Sequence, residues 1–226
     1  MPRRSTLPYI VLFVGVVIVS TASIMIRFAQ EAGVPSLTIA AARLGFAALI
    51  LTPLAWMRVG PELRRLERRD LLLAFGSGAF LAVHFASWIT SLEYTSVASS
   101  AALVSTNPLW VGLASLLIFR ERLSLTALIG ISATLAGTIM IGLSDQAVGA
   151  GANPALGNTL ALVGAATVSG YLLIGREVRR RVSVLAYIWL VYSTAAVVLL
   201  IWALLAGQSM FGYPAYAYLL LLGLAL

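Results

Sequence analysis

Seven long apolar stretches recur along the chain, at residues 7–28, 36–57, 71–91, 97–119, 125–143, 156–175 and 184–206. At about 1.5 Å of rise per residue, each is long enough as an α-helix to cross a hydrocarbon core about 30 Å thick. Lipid offers no partner to a backbone N–H or C=O, so a chain built of such stretches folds as a bundle of helices. An eighth stretch, residues 215–226, covers only about 18 Å. The chain is therefore expected to be a fragment that stops inside a span. The composition agrees with a membrane bundle. Of the 226 residues, 61% are hydrophobic and 10% are charged, against about 25% charged in ordinary soluble domains. No stretch between the apolar runs is long enough for a separate soluble domain.

The charges give the bundle an orientation. All fifteen basic residues are arginines. Arg3 and Arg4 precede the first run. Arg58, Arg64, Arg65, Arg68 and Arg69 fall between the second and third, Arg120 and Arg122 between the fourth and fifth, and Arg176, Arg179, Arg180 and Arg181 between the sixth and seventh. If every run crosses once, all of these connections lie on one side. The opposite connections carry Glu31, Glu93 and Asp145, with only Arg27 near a helix end. Positive residues mark the cytoplasmic side. The expected topology has seven full spans and part of an eighth, a cytoplasmic N-terminus and a cell-membrane location. The net charge of +7 is then a record of topology and not a nucleic-acid surface. Most arginines in these links are expected to be solvated or lipid-facing, with no further role.

The fourth run, VASSAALVSTNPLWVGLASLLIF, is the most informative. Ser99, Ser100, Ser105, Thr106 and Asn107 interrupt it, and Pro108 removes a backbone N–H near its middle. Either neighbouring helices satisfy the carbonyl that this frees, or the helix lines a wet cavity. Polar residues at mid-membrane depth favour the cavity.

Further polar positions lie at helical spacing. In the third run Ser77, His84, Trp88 and Ser91 share a face. His84 is the only histidine. It reads either as a proton acceptor in coupled transport or as a neutral ring held by a hydroxyl of a neighbouring helix. In the fourth run Ser96, Ser100, Leu103, Asn107 and Trp110 form a second stripe, which pairs an amide with an indole. That combination suits a solute with both hydrogen-bonding and flat apolar parts. Tyr171 and Tyr192 are further cavity candidates. Arg43 lies about two turns inside the second run, and either a structural partner or an attracted anion must satisfy it. Arg27 can pair with Glu31 one turn on. Ala133, Gly137 and Gly142 in the fifth run are expected to mark close helix contact, and Ser124 to cap that helix. The expected solute-binding set is His84, Trp88, Ser91, Ser100, Asn107, Trp110 and Tyr171.

The chain divides at residues 144–155, a Gly- and Ala-rich external linker, into 1–143 with five spans and 156–226 with an incomplete second set. Val19 and Ser20 with Arg27 are echoed by Val168 and Ser169 with Arg176 at one constant spacing. An odd number of spans per repeat inverts the second copy, a common transporter design.

Other classes lack their chemistry. The chain has no cysteine, which excludes disulfides, thiol catalysis and cysteine-held metals. An intramembrane enzyme needs a nucleophile with its base or an embedded acidic pair, and a channel needs a charged ring or carbonyl filter. Neither pattern occurs. A non-transporting membrane scaffold or a channel-like protein remains the alternative.

The stretch SLEYTSVASSAALVSTNPLWVGLASLLIFRERLSLTALIGISATLAGTIMIG resembles the fourth and fifth helices of EamA-type transporters of the drug/metabolite transporter superfamily. GVPSLTIAAARLGFAALIL resembles that family's first loop and second helix, including its arginine at Arg43. The resemblance implies ten helices as two inverted five-helix repeats around a central cavity, with small metabolites, often amino acids, as solutes. It implies no cofactor. It also implies a full length of roughly 290 residues. At Arg120, just before Glu121, the family commonly has glycine.

Overall fold

The computed structural model describes residues 7–117, 120, 124–149 and 151–226. Arg3, Arg4, Glu121 and Arg122 lie outside them. The described residues form helices α1 (Leu7–Glu31), α2 (Ser36–Leu63), α3 (Arg68–Tyr94), α4 (Val97–Val104), α5 (Asn107–Leu117), α6 (Leu125–Val148), α7 (Pro154–Val178), α8 (Val184–Leu205) and α9 (Ala215–Gly223). Among them, six segments are long and apolar enough to cross a membrane, with α4 and α5 together making one. The first apolar run is also helical, as α1, and α9 is too short to cross.

Several ends differ from the sequence expectation. α2 continues to Leu63 and α3 starts at Arg68, so the arginine-rich link is four residues long instead of running from 58 to 70. Interfacial arginines leave backbone hydrogen bonding intact, so a change from apolar to charged residues does not by itself stop a helix. α6 likewise runs past the expected linker boundary to Val148, where Gly149 ends it with φ 64°. That left-handed conformation suits glycine. Side-chain oxygens cap the starts of α4, α6, α7 and α8: Ser96, Ser124, Asn153 and Ser183 each accept a backbone N–H three residues on.

The fourth run is broken into two helices by a turn at Ser105 and Thr106. Hydroxyls satisfy carbonyls beside the break: Ser105 Oγ donates to Ala101 O and Thr106 Oγ1 to Leu103 O, each at 2.7 Å. Pro108, at the second position of α5, has no N–H to return to Val104.

α3 is the central helix. It packs against α7 and α8 and also meets α1, α2 and α4. Small residues on α7 allow the approach. A Cβ on Gly157 would fall 2.7 Å from Thr95 Cβ, and one on Gly164 3.3 Å from Trp88 Cβ. The expectation for α6 is corrected. Gly137 and Gly142 have open space where a Cβ would stand, and Ala133 is exposed. Small residues bring helices together only where a second helix is present, as on α7 and at Gly78 of α3, where a Cβ would fall 2.6 Å from Thr194 Cβ of α8.

Polar contacts join the helices at both ends of the bundle. At one end Arg27 donates to the Leu92 carbonyl and pairs with Glu31 at 3.6 Å. Gln30 Nε2 donates to Ile89 O at 2.8 Å, and Ser36 Oγ donates to the Glu93 carboxylate. Asp145 is buried there and not solvated in a loop. It accepts from Ser99 Oγ at 2.7 Å and from Asn158 Nδ2 at 2.8 Å, tying α4 and α7 to the end of α6. At the other end Arg181 lies 3.8 Å from the buried Asp70 and 3.6 Å from Glu177, which also meets Arg69 and Arg180. Arg69 and Arg181 therefore tie α3 to the end of α7, a role beyond the solvation expected of them, while Arg180 pairs with Glu177 within its own turn and stays largely exposed.

Candidate functional site

The site grows from Arg43. Helical rise places it about 10 Å along α2 from Ser36, among buried Ile39, Ala40, Leu44 and Ala47. An arginine at membrane depth costs about 2.5–3.5 kcal/mol on insertion scales, so its surroundings are decisive. Its guanidinium carbon stands 4.7 Å from the Phe85 ring centroid and 6.0 Å from that of Trp88. Such cation–π contacts offset about 0.5–2 kcal/mol each. Arg43 makes no ion pair among the described residues. Its Nη1 is buried without a hydrogen-bond partner.

Arg43 borders a cavity of about 420 Å³ enclosed by α1, α2, α3, α8 and the segment from Gly223 to Leu226. Thr21, Arg43 and Tyr192 bring polar side chains to its wall. Met25, Leu44, Ile50, Leu51, Phe85 and Ile188 make most of the rest. The volume falls in the range of small-molecule pockets, about 300–1,000 Å³.

None of the residues expected to bind solute lines this cavity. His84 and Trp88 form the layer behind Phe85 and Arg43. The His84 ring meets Phe85 edge-on at 4.8 Å and stacks on Trp88 at 5.8 Å, and its Nδ1 lies 2.8 Å from the Gly164 carbonyl. The partner is thus a backbone carbonyl of α7, not a hydroxyl. Glycine at 164 is what brings that backbone within reach. Trp88 Nε1 is buried without a partner. Ser91 and Ser100 bond to each other at 2.6 Å and hold α4 to α3. The Asn107 carbonyl accepts from Ser169 Oγ at 3.0 Å, where α5 meets α7. Trp110 is half-buried, and its Nε1 has no partner. Tyr171 stacks on Tyr187 at 6.1 Å. Ser77 Oγ, 2.5 Å from the Tyr187 hydroxyl, extends that cluster.

The third-run stripe therefore faces α7, α8 and α4, and the neighbouring face, through Phe85, meets the cavity. Phe85 escaped the sequence reading because polarity marked the stripe and phenylalanine is not polar. Tyr192 and Arg43 were visible as polar residues inside apolar runs.

Residues 6–143 match the EamA-like transporter family. The chain belongs to that family. That family is one of membrane transporters. A solved chain titled only "Crystal structure of protein" aligns with 92% of this chain and 72% of its own length, at TM-score 0.60 and 19% identity. At that identity the similarity concerns the fold alone. No curated protein matches significantly.

Proposed function

We propose that this EamA-like protein carries small amphipathic metabolites, amino acids or related solutes among them, across the cell membrane by alternating access around the Arg43 cavity. The observation that carries this reading is the cavity itself. It lies between helices from the two halves of the chain, α1–α3 and α8–α9, and holds a charged group at membrane depth. In a transporter built from inverted repeats the solute site sits at that interface. Element positions support such repeats. α7, α8 and α9 begin at residues 154, 184 and 215, a nearly constant interval after α1, α2 and α3 at 7, 36 and 68. Under this correspondence the packed pair α2–α8 maps onto itself and the pair α3–α7 onto α9–α1, which also pack. The arginine asymmetry supports a cytoplasmic N-terminus. His84, Trp88, Ser91, Ser100, Asn107, Trp110 and Tyr171 form the layer that solute meets as the cavity opens along α3, α4 and α7.

Uptake of labelled amino acids into proteoliposomes tests the reading. Saturable flux that unlabelled solute competes away is expected. Current that rises with voltage without saturating would instead assign a channel, and vesicles no more permeable than empty ones a scaffold.

A further inference from the structure

Among the described residues, the cavity wall carries one cation and no carboxylate side chain. Arg43 pairs with no acid among them, and its Nη1 is buried with no hydrogen-bond partner. What it touches is aromatic, with Phe85 at 4.7 Å and Trp88 at 6.0 Å. Ring faces attract the charge but accept few of the in-plane N–H donors of a guanidinium. Those donors form a fork that matches a carboxylate. The other side chains of the wall are apolar save for the hydroxyls of Thr21 and Tyr192.

We propose that Arg43 is the docking site for the carboxylate of a solute with an apolar body, so that among the solutes proposed above it favours those whose only charge is that carboxylate. This rests on the transport reading above. The charge arithmetic selects the class. One guanidinium neutralises one carboxylate, whereas a phosphate dianion would leave a second charge uncompensated among Leu44, Leu51 and Ile188, where an unpaired charge is costly. A cationic solute would meet Arg43 without any acid to offset it. The apolar body lies against the aliphatic wall, and the Tyr192 hydroxyl can serve a second polar group of the solute.

Purified protein is titrated with phenylacetate, phenylacetamide and phenethylamine, which share a body and differ in charge. Tryptophan fluorescence, with Trp88 beside the guanidinium, and melting temperature are read together. Phenylacetate is expected to bind saturably, at least about tenfold more tightly than the amide, and the amine not to bind. Arg43→Gln should lose the preference for acid over amide, and Arg43→Lys should keep part of it. Equal affinity of the wild-type protein for acid and amide overturns the proposal, and this comparison needs no variant to fold. A preference that survives in Arg43→Gln overturns it too. Vesicle flux of phenylacetate separates the two readings: selective binding with no flux keeps the site and removes transport, and flux without acid preference does the reverse.

Discussion

At the scale of single residues, His84 and Arg120 carry the sharpest expectations. His84 sits between Phe85 and Trp88 with Nδ1 on the Gly164 carbonyl. In that geometry Nδ1 donates, and the ring acts as a strut between α3 and α7. Glutamine can donate the same bond but cannot titrate. His84→Gln should therefore keep wild-type folded yield and the wild-type pH profile of uptake, whereas His84→Leu, which leaves the Gly164 carbonyl only its bond from Thr167 Oγ1, should lose about 0.5–1.5 kcal/mol of stability, the net value of one hydrogen bond. Loss of the pH profile in the Gln variant would make His84 a proton carrier. Arg120 has φ +54°, the one non-glycine residue with positive φ among those described. Glycine adopts this conformation freely, while for other residues it costs about 1–2 kcal/mol. The glycine common in the family at this position thus has a conformational reason, and Arg120→Gly should raise the melting temperature by a few degrees. Arg43 and the α3 stripe were both legible as polar groups in apolar runs. Which of two adjacent α3 faces meets the cavity was not, because Phe85 and His84 are neighbours in sequence and only the packing of α7 decides between them.

At the scale of elements, apolar run lengths located the helices, but their ends depended on other physics. Charge did not stop α2 or α6, because helix hydrogen bonds continue into the interface. Ser124 was legible as a cap because an N-cap needs only a side-chain oxygen three residues before an N–H. The break between α4 and α5 was half legible. Pro108 announced a disturbance, and the hydroxyls of Ser105 and Thr106, bonding back to Ala101 and Leu103, place it three residues earlier. If this break lets α4 and α5 move separately during transport, Pro108→Ala should fuse them by restoring the bond to Val104. The expected result is uptake slowed several-fold with melting temperature equal or higher. Uptake unchanged in that variant would make the break a packing feature only.

At the scale of the whole molecule, the proposed solute path is the cavity between the two halves of the chain. α2 offers a direct comparison, since Ala47 lines the cavity while Leu49, two residues on, is 68% exposed on the outer surface. The chain has no cysteine of its own, so each position can carry a single thiol. Ala47→Cys and Leu49→Cys are reconstituted in proteoliposomes and treated with a charged, water-soluble thiol reagent in the presence and absence of transported solute. If the cavity is the solute path, the Ala47→Cys variant labels, labelling stops uptake, and solute slows the labelling, while the Leu49→Cys variant stays unlabelled because its thiol faces lipid. Labelling of the Ala47→Cys variant that solute does not slow and that leaves uptake intact would contradict the account.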